Sequence, residues 1–411
     1  MSYHAAGMSE QPPYTRSMCA TVHRLSALFP CVLVTGARQV GKSTMLRSML
    51  PPGMRYITLD DPELAEAAQQ NPQDFLAHYE GPLCLDEIQY APALLRAIKQ
   101  RVDAERQPGM YWMTGSQRFR LMKGISESLA GRMGILELRP LSNREQLRCP
   151  ESFFAPDAAA AGPAPEPDKL YERVIRGGYP ELIARPDMEP ELFFRAYVST
   201  YVERDVHDLA QIGNRSAFIR LMRSAASRTG QQLVYSHLAR DAGVAVNTVK
   251  SWVSILEASG IITLLEPYHC ATSQRLTKSP KLYFNDTGLA AWLCRLTDAD
   301  ELERSPLAGA FVETWAFNQL MAGYENRGLV PDLCYFRNSN GAELDFVLHE
   351  HGRLYAMEVK SSTHAQSRDL RHGSALPVPP HLSLGPATVL CNSAEAGLLP
   401  GGNRSYPLTA L

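Results

Sequence analysis

Residues 36–43 read Gly-Ala-Arg-Gln-Val-Gly-Lys-Ser, and this stretch decides the fold of the first part of the chain. It fits the spacing G-x-x-x-x-G-K-S/T, in which the loop turns its backbone N–H groups toward phosphate oxygens and the following helix adds its positive end. An apolar run, Cys31–Thr35, precedes the loop, and a helical run at 44–50 follows it. This context predicts a nucleotide-binding loop formed by Gly36, Ala37, Arg38, Gln39, Val40, Gly41, Lys42, Ser43 and Thr44.

A second, acidic element supports the nucleotide site. The run Leu83-Cys-Leu-Asp86-Glu87 is an apolar strand that ends in two carboxylates. In this interpretation Lys42 reaches the β- and γ-phosphates, Ser43 and Asp86 hold Mg²⁺, and Glu87 orients the attacking water. Ser116, at the tip of another strand, is placed to contact the γ-phosphate or the water, although a simple glycine turn is the alternative there.

Short β-rich runs alternate with helical stretches through the first third of the chain. This alternation predicts an α/β fold with a parallel sheet covered by helices. The expected strands are Cys31–Thr35, Arg55–Asp60, Leu83–Asp86, Met110–Thr114 and Gly134–Leu138.

Several motifs together carry a family resemblance. GARQVGKST (36–44), LCLDEIQ (83–89), MTGSQ (113–117), SESLAGR (126–132) and ELRPLS (137–142) resemble the AAA+ ATPases of a prokaryotic family with a C-terminal domain of unknown function. GGYPE (177–181) and YVERD (201–205) resemble later landmarks of that family. The resemblance implies ATP and Mg²⁺ as ligands, a ring of six subunits, and Arg132 as an arginine offered to the neighbouring subunit's γ-phosphate. A surface arginine without that role is the alternative.

Residues 235–265 have the pattern of a helix-turn-helix followed by a wing. Leu238, Ala239 and Ala242 give the first helix its apolar face, Gly243 breaks it, and a second helix follows from an Asn247 cap. The segment between Asp208 and Asp241 contains no acidic residue, which suits contacts with the phosphates of DNA. A structural lid, a solvated helix face or a subunit contact are the alternatives. The expected nucleic-acid contacts are Arg215, Arg220, Arg223, Arg228, Arg240, Asn247 and Lys250.

A third constellation lies near the C-terminus. Asp345 and Glu358-Val-Lys360 fall on two consecutive strand patterns joined by a turn at 350–353, so a hairpin would bring their side chains together. With Glu313 on the preceding helical run, they resemble the PD-(D/E)xK nuclease-like superfamily, which implies a metal held by Asp345 and Glu358 and a water placed by Lys360. A charged hairpin on a scaffold that has kept the fold without the cleavage activity is the alternative.

Composition sets the outer bounds. The 411 residues carry 41 Lys plus Arg against 43 Asp plus Glu, which excludes a binder held to nucleic acid by bulk charge alone. No apolar run reaches membrane length, and the 8 scattered cysteines predict neither zinc fingers nor a disulfide framework, so a cytoplasmic protein without a membrane partner is expected. The predicted division is an AAA+ domain at 1–147, an Ala/Pro-rich linker at 148–170, a helical and winged-helix region at 171–270 and a nuclease-like α/β domain at 271–411.

Three functions follow from these patterns. The first is an AAA+ ATPase that forms a ring and acts on DNA by binding, translocation or remodelling. The second is an ATP-controlled, metal-dependent DNA nuclease, and the third is a nucleotide-gated signalling or scaffold switch.

Overall fold

The computed structural model describes residues 14–116, 129–150, 154–157, 164–201, 214–269 and 279–411. Ser128, the motif residues 202–205 and much of the predicted linker lie outside the described residues.

A parallel sheet of five strands in the order β2-β3-β4-β1-β5 forms the first region. Every predicted strand is confirmed, with ends that differ by at most two residues: β1 Cys31–Thr35, β2 Arg55–Thr58, β3 Leu83–Asp86, β4 Tyr111–Gly115 and β5 Met133–Glu137. All residues of β1, β3 and β4 are buried, as expected of parallel strands covered on both faces. The helices of this region are α1 Cys19–Leu28, α2 Lys42–Ser48, α3 Pro62–Gln70, α4 Pro72–His78, α5 Leu94–Glu105 and α6 Asn143–Gln146.

A helical region with a small sheet follows. Its elements are α7 Leu170–Arg176, α8 Pro180–Ala184, α9 Pro190–Tyr201, α10 Arg215–Ala226, β6 Gln231–Gln232, α11 Tyr235–Ala242, α12 Val246–Ala258, β7 Ile262–Leu265 and β8 Lys281–Phe284. The three strands are antiparallel in the order β6-β8-β7, so α10 to β8 have the element order of a winged helix. Gly243, at a φ of 71°, ends α11 as predicted.

The predicted cap at Asn247 is wrong. Ala245 is the residue before α12, and its carbonyl accepts the N–H of Val249 at 3.2 Å. The helix therefore begins two residues earlier than the Asn247 side chain suggested, and Asn247 lies exposed in its first turn.

The last region is a mixed α/β unit. Its helices are α13 Thr287–Leu293, α14 Ala299–Arg304 and α15 Ala308–Glu325, and its strands are β9 Asp332–Arg337, β10 Glu343–Glu350, β11 Arg353–Lys360, β12 Ser383–Leu384, β13 Thr388–Cys391, β14 Gly397–Leu398 and β15 Arg404–Pro407. These strands form one sheet with the path β14-β15-β13-β11-β10-β9, to which β12 adds beside β11. The predicted hairpin is confirmed, since β10 and β11 pair antiparallel from Phe346–Met357 to Glu350–Arg353.

A buried arginine connects the three regions. Arg139, just after β5, donates to the carboxylate of Glu325 at 2.6 Å, to the Asn285 side chain at 2.9 Å and to the Thr263 hydroxyl at 3.3 Å. Because these partners lie at the end of α15 and in the winged helix, the sheet edge that carries the nucleotide loop is tied to both later regions. Among the described residues, no helix combines the length and apolarity needed to cross a membrane.

Candidate nucleotide site

The predicted phosphate loop joins β1 to α2. Gly36 has a φ of 140°, and a Cβ there would lie 2.2 Å from the carbonyl oxygen of Leu138, so only glycine fits. Gly41, at a φ of 94°, turns the chain into α2. The ammonium of Lys42, which is almost completely buried, donates to the carbonyls of Gly36 at 3.0 Å and Ala37 at 2.8 Å. These contacts keep the loop curved and hold its cation inside it.

Asp86 is surrounded by hydroxyl groups at the end of β3. Its two oxygens accept from Ser43 Oγ at 2.7 Å, from Thr114 Oγ1 at 2.5 Å and from Tyr56 Oη at 2.5 Å. Burial, and secondly the neighbouring Asp86 carboxylate, raises the pKa of Tyr56, so this hydroxyl stays a donor. The predicted pair of Ser43 and Asp86 is thus brought together across two neighbouring elements, with the oxygen donors that Mg²⁺ prefers.

Glu87 follows in a left-handed backbone conformation, at a φ of 55°. Such a conformation costs a non-glycine residue of the order of 1–3 kcal/mol. The N–H of Glu87 donates to Thr114 Oγ1 at 2.9 Å, and its carboxylate accepts from the amide of Gln89 and from Ser116 Oγ at 3.2 Å. The strained turn therefore places the Glu87 carboxylate at the carboxyl ends of the strands, where it accepts the hydrogen bond from Ser116.

A cavity of about 670 Å³ opens in front of these groups. The phosphate loop and Glu87 form one wall. The opposite wall comes from α8, α9 and the segment between them; it includes the apolar Pro180, Met188, Leu192 and Phe193 and the polar Glu181 and Thr200. Charged and polar groups on one wall and a cluster of apolar side chains on the other suit a nucleotide, because its phosphates are strongly hydrated and its base is largely apolar. Pro180 and Glu181 of the 177–181 motif therefore reach the site from the helical region.

Two positions show how the neighbouring segments hold this cavity. Arg16 is buried ahead of α1, and its guanidinium donates to the carbonyl of Val40 at 2.7 Å while pairing with Glu145 at 3.0 Å. On the other side, the carboxylate of Asp286 accepts the N–H of Gly178 at 2.7 Å and that of Leu289 at 2.7 Å. Burial raises the pKa of Asp286 to about 6. The loop and the 177–181 motif are thus fixed by charged groups far from them in sequence.

Arg132 lies away from the cavity. It precedes β5, and Met133 pairs with Cys31, the first residue of β1, whereas the phosphate loop follows the last residue of β1. A five-residue strand is about 16 Å long, and the phosphate loop lies at the carboxyl ends of the strands. Arg132 therefore lies at their amino ends, on the opposite side of the sheet from the loop of its own chain. Its guanidinium pairs with Asp103 on α5. Arg132 therefore cannot serve the nucleotide of its own subunit from this position.

The predicted nucleic-acid contacts divide into two groups. Arg220 donates to the carbonyl of Ala242 at 2.8 Å and caps α11, and Arg228 pairs with Asp241 at 2.7 Å, so both stabilise the winged helix itself. The other five, namely Arg215, Arg223, Arg240, Asn247 and Lys250, are exposed on its surface, as is Arg220.

The predicted C-terminal residues are close to one another. The ammonium of Lys360 lies 2.9 Å from Glu358, and Asp345 accepts the N–H of Val359 at 2.8 Å. Glu313 reaches the same cluster from α15, where burial raises its pKa to about 7. Within the described ranges, no group of three or more His, Cys, Asp or Glu side chains is arranged to hold a metal ion. The nuclease-like fold and activity stay predictions.

Comparison with known proteins identifies the class that this site defines. Residues 29–147 match the family described as an AAA domain, residues 167–300 match a domain of unknown function (DUF8612), and residues 308–411 match another (DUF4143). Two uncharacterized proteins, of Mycobacterium tuberculosis and Mycobacterium bovis, are each 32% identical over 363 residues, which is 87% of this chain and 76% of theirs.

Two solved structures are also similar. A Walker-type ATPase of Pyrococcus abyssi is 15% identical with a TM-score of 0.45, over 69% of this chain and 99% of that one. AMPPCP-bound DnaA of Aquifex aeolicus is 12% identical with a TM-score of 0.27, over 58% of this chain and 85% of that one. The chain belongs to the family of AAA+ P-loop ATPases that carry the C-terminal DUF4143 domain.

Sequence reasoning missed several residues of these sites. Tyr56 and Arg16 carry no motif signal, because each is defined by a contact with a segment distant in sequence. Gln89 lies in the LCLDEIQ motif, but its contact with the Glu87 carboxylate was not predicted. The apolar face of α9 could have been found from its spacing, but its position against the loop could not. Lys281 also has no motif of its own and stands in the C-terminal cluster.

Proposed function

We propose that the protein hydrolyses ATP with Mg²⁺ and couples the hydrolysis to binding or remodelling of nucleic acid as a ring of subunits. The contact of Ser43 Oγ with Asp86 Oδ1, at 2.7 Å on the wall of a cavity that also contains Lys42 and Glu87, is the observation that carries the ATPase part. Mg²⁺, for which Ser43 and Asp86 are the fitting ligands, neutralises charge on the phosphate oxygens when it is bound.

The side chains of the site have distinct roles in this proposal. The loop N–H groups and Lys42 bind and orient the phosphates, and the apolar wall formed by Met188, Leu192 and Phe193 takes the base. Glu87, positioned by Ser116, orients a water and accepts its proton during attack on the γ-phosphate.

Phosphate release by the purified full-length chain tests this step. We expect the wild type to hydrolyse ATP, the Lys42→Ala variant to lose both nucleotide binding and turnover, and Glu87→Gln to bind ATP without turning it over. Turnover that survives in both variants would show that another site or a contaminant is responsible.

The exposed side chains of the winged helix support a nucleic-acid partner. Arg223 on α10, Arg240 on α11 and Lys250 on α12 are all exposed, which makes a positive surface on a fold that commonly contacts DNA. Binding of a fluorescent DNA duplex at several salt concentrations tests it. We expect R223A/R240A/K250A to weaken binding and flatten its salt dependence.

The matched control removes the same charge from another helix. R96A/K99A/R106A changes side chains on and just after α5. Equal effects of the two triple variants would show that DNA binding depends only on total charge. Unchanged binding in the winged-helix variant would show that the winged-helix surface does not contact DNA.

The position of Arg132 supports assembly through a head-to-tail interface. Because Arg132 lies at the amino ends of the strands, it contacts a γ-phosphate only when that nucleotide is bound by the next subunit, as in a heterologous ring. The family resemblance implies that such a ring has six subunits. Mixing two inactive variants tests this directly. In an equal mixture of Lys42→Ala and Arg132→Ala, about a quarter of the interfaces join an intact loop to an intact arginine, so activity should return. No recovery in co-assembled variants would contradict the trans role.

A further inference from the structure

A lysine from the winged helix lies inside the C-terminal carboxylate cluster. Lys281, on β8, is 2% exposed. Its Nζ lies 2.9 Å from Glu313 Oε1, 2.9 Å from Glu343 Oε1 and 3.8 Å from Asp345 Oδ1. One ammonium therefore faces carboxylates from a helix, α15, and from a strand of the C-terminal sheet, β10.

Other side chains of the protein also contact the carboxylates of this cluster. Tyr283 donates its hydroxyl to Glu313 at 2.5 Å, and Arg337 pairs with the second oxygen of Glu343 at 3.3 Å. The Tyr335 ring lies 5.4 Å from the Lys281 ammonium, which adds a cation–π contact. The nearby Glu358 is held by Lys360 at 2.9 Å. The carboxylates thus face protein cations and hydroxyls.

A divalent ion would compete with this lysine for the same oxygens. Mg²⁺ and Mn²⁺ need several open carboxylate or carbonyl oxygens. Glu313, Glu343 and Asp345 already share the Lys281 ammonium, and a second cation within about 4 Å of it would be strongly repelled in a buried site. Of the two metal ligands that the nuclease resemblance implies, Asp345 lies 3.8 Å from the Lys281 ammonium and Glu358 is paired with Lys360 at 2.9 Å, so a protein cation already faces each of them.

We propose that Lys281 occupies this cluster in place of a divalent metal ion and connects the winged-helix sheet to the C-terminal sheet through its ion pairs. The cluster then has a structural role, and the C-terminal domain of the native protein does not cut DNA through Asp345. This inference is independent of the ATP site.

Manganese binding to the full-length protein without nucleotide tests the proposal, with Mn²⁺ followed by electron paramagnetic resonance. We expect wild type and Asp345→Asn to bind Mn²⁺ equally weakly. Lys281→Met, which keeps most of the unbranched side chain and removes its charge, should bind Mn²⁺ about tenfold more tightly, because the freed carboxylates become ligands. The double variant K281M/D345N should lose that gain, which assigns the ion to this cluster and not to Ser43 and Asp86.

Two outcomes would overturn the proposal. One is tight Mn²⁺ binding by the wild type that Asp345→Asn removes, and the other is a folded Lys281→Met protein with no gain in affinity. Should Lys281→Met fail to fold, DNA cleavage by the wild type decides the matter. DNA cutting in Mn²⁺ that Asp345→Asn abolishes contradicts the proposal. The proposal is supported if the wild type does not cut DNA, or if it cuts DNA to the same extent as Asp345→Asn.

Discussion

Two carboxylate sites of this chain use the same residue types and differ in what faces the carboxylates. Asp86 meets the hydroxyls of Ser43, Thr114 and Tyr56 beside an open cavity. Asp345 and Glu313 share the buried ammonium of Lys281. The sequence predicts a metal at both places. The comparison teaches that the groups opposite the carboxylates, and not the carboxylates themselves, decide whether such a site is open to an external cation.

The largest expected effect separates the two sites by activity. Glu87→Gln removes the proton acceptor at the ATP site and should lower the steady-state rate of phosphate release by about 10²–10⁴-fold. Asp345→Asn should leave that rate within about twofold, because its carboxylate lies in the other site. A large loss of ATPase activity in Asp345→Asn would break the comparison by showing that the two sites work together.

The next effect concerns stability. Lys281→Met leaves buried carboxylates without their cation and should lower the free energy of unfolding by about 3–5 kcal/mol, measured in urea. Adding Glu313→Gln should recover part of the loss, because one of the unpaired charges is then gone.

Lys169 provides the matched control for that stability measurement. It pairs with Glu166 at 2.8 Å with both side chains well exposed, so Lys169→Met should leave the urea midpoint unchanged. Equal losses in the Lys281 and Lys169 variants would mean that the Lys281 contacts contribute little.

A third carboxylate sharpens the comparison through pH. Asp286 is buried against the backbone N–H groups of Gly178 and Leu289, and burial raises its pKa to about 6 from the usual 3.8. Because the folded pKa is the higher one, its contribution to stability is full below about pH 4 and is lost as the pH rises through about 6. The difference between the folded and the usual pKa of Asp286 corresponds to about 3 kcal/mol of unfolding free energy.

The variant Asp286→Asn tests that pH dependence. Relative to Asp286→Asn, the wild type should lose unfolding free energy as the pH rises from about 4 to about 6. Outside this range, the difference in unfolding free energy between the two proteins should stay constant. Parallel curves for the two proteins across this range would show that Asp286 keeps its usual pKa.

The smallest effect concerns the positioning of Glu87. Ser116→Ala removes one hydrogen bond to its carboxylate, worth about 1 kcal/mol, so kcat should fall about fivefold. Ser142→Ala, which removes the hydroxyl that caps α6, should leave kcat unchanged. A loss as large as that of Glu87→Gln would make Ser116 a direct contact of the reacting phosphate or water.

Local patterns account for what could be predicted. The strands follow from apolar runs, and their predicted bounds were correct within two residues. The loop between β1 and α2 has a positive φ at Gly36 and Gly41, as its glycine positions require. The winged-helix elements follow in the same way from Gly243 and the apolar spacing around it. The start of α12 was wrong at Asn247, because the helix start depends on the backbone at Ala245 and not on the most favourable capping side chain.

The sequence by itself determined the class of the protein, because a phosphate loop and its acidic strand are short segments whose function depends on local geometry. Only the tertiary structure decided which distant groups complete each site: α9 across the cavity from Lys42, Arg132 at the far edge of the sheet, and Lys281 among Glu313, Glu343 and Asp345. The physical reason is that electrostatic interactions depend on distance in space and on burial. A carboxylate motif therefore has the same sequence whether a cavity or a lysine faces it.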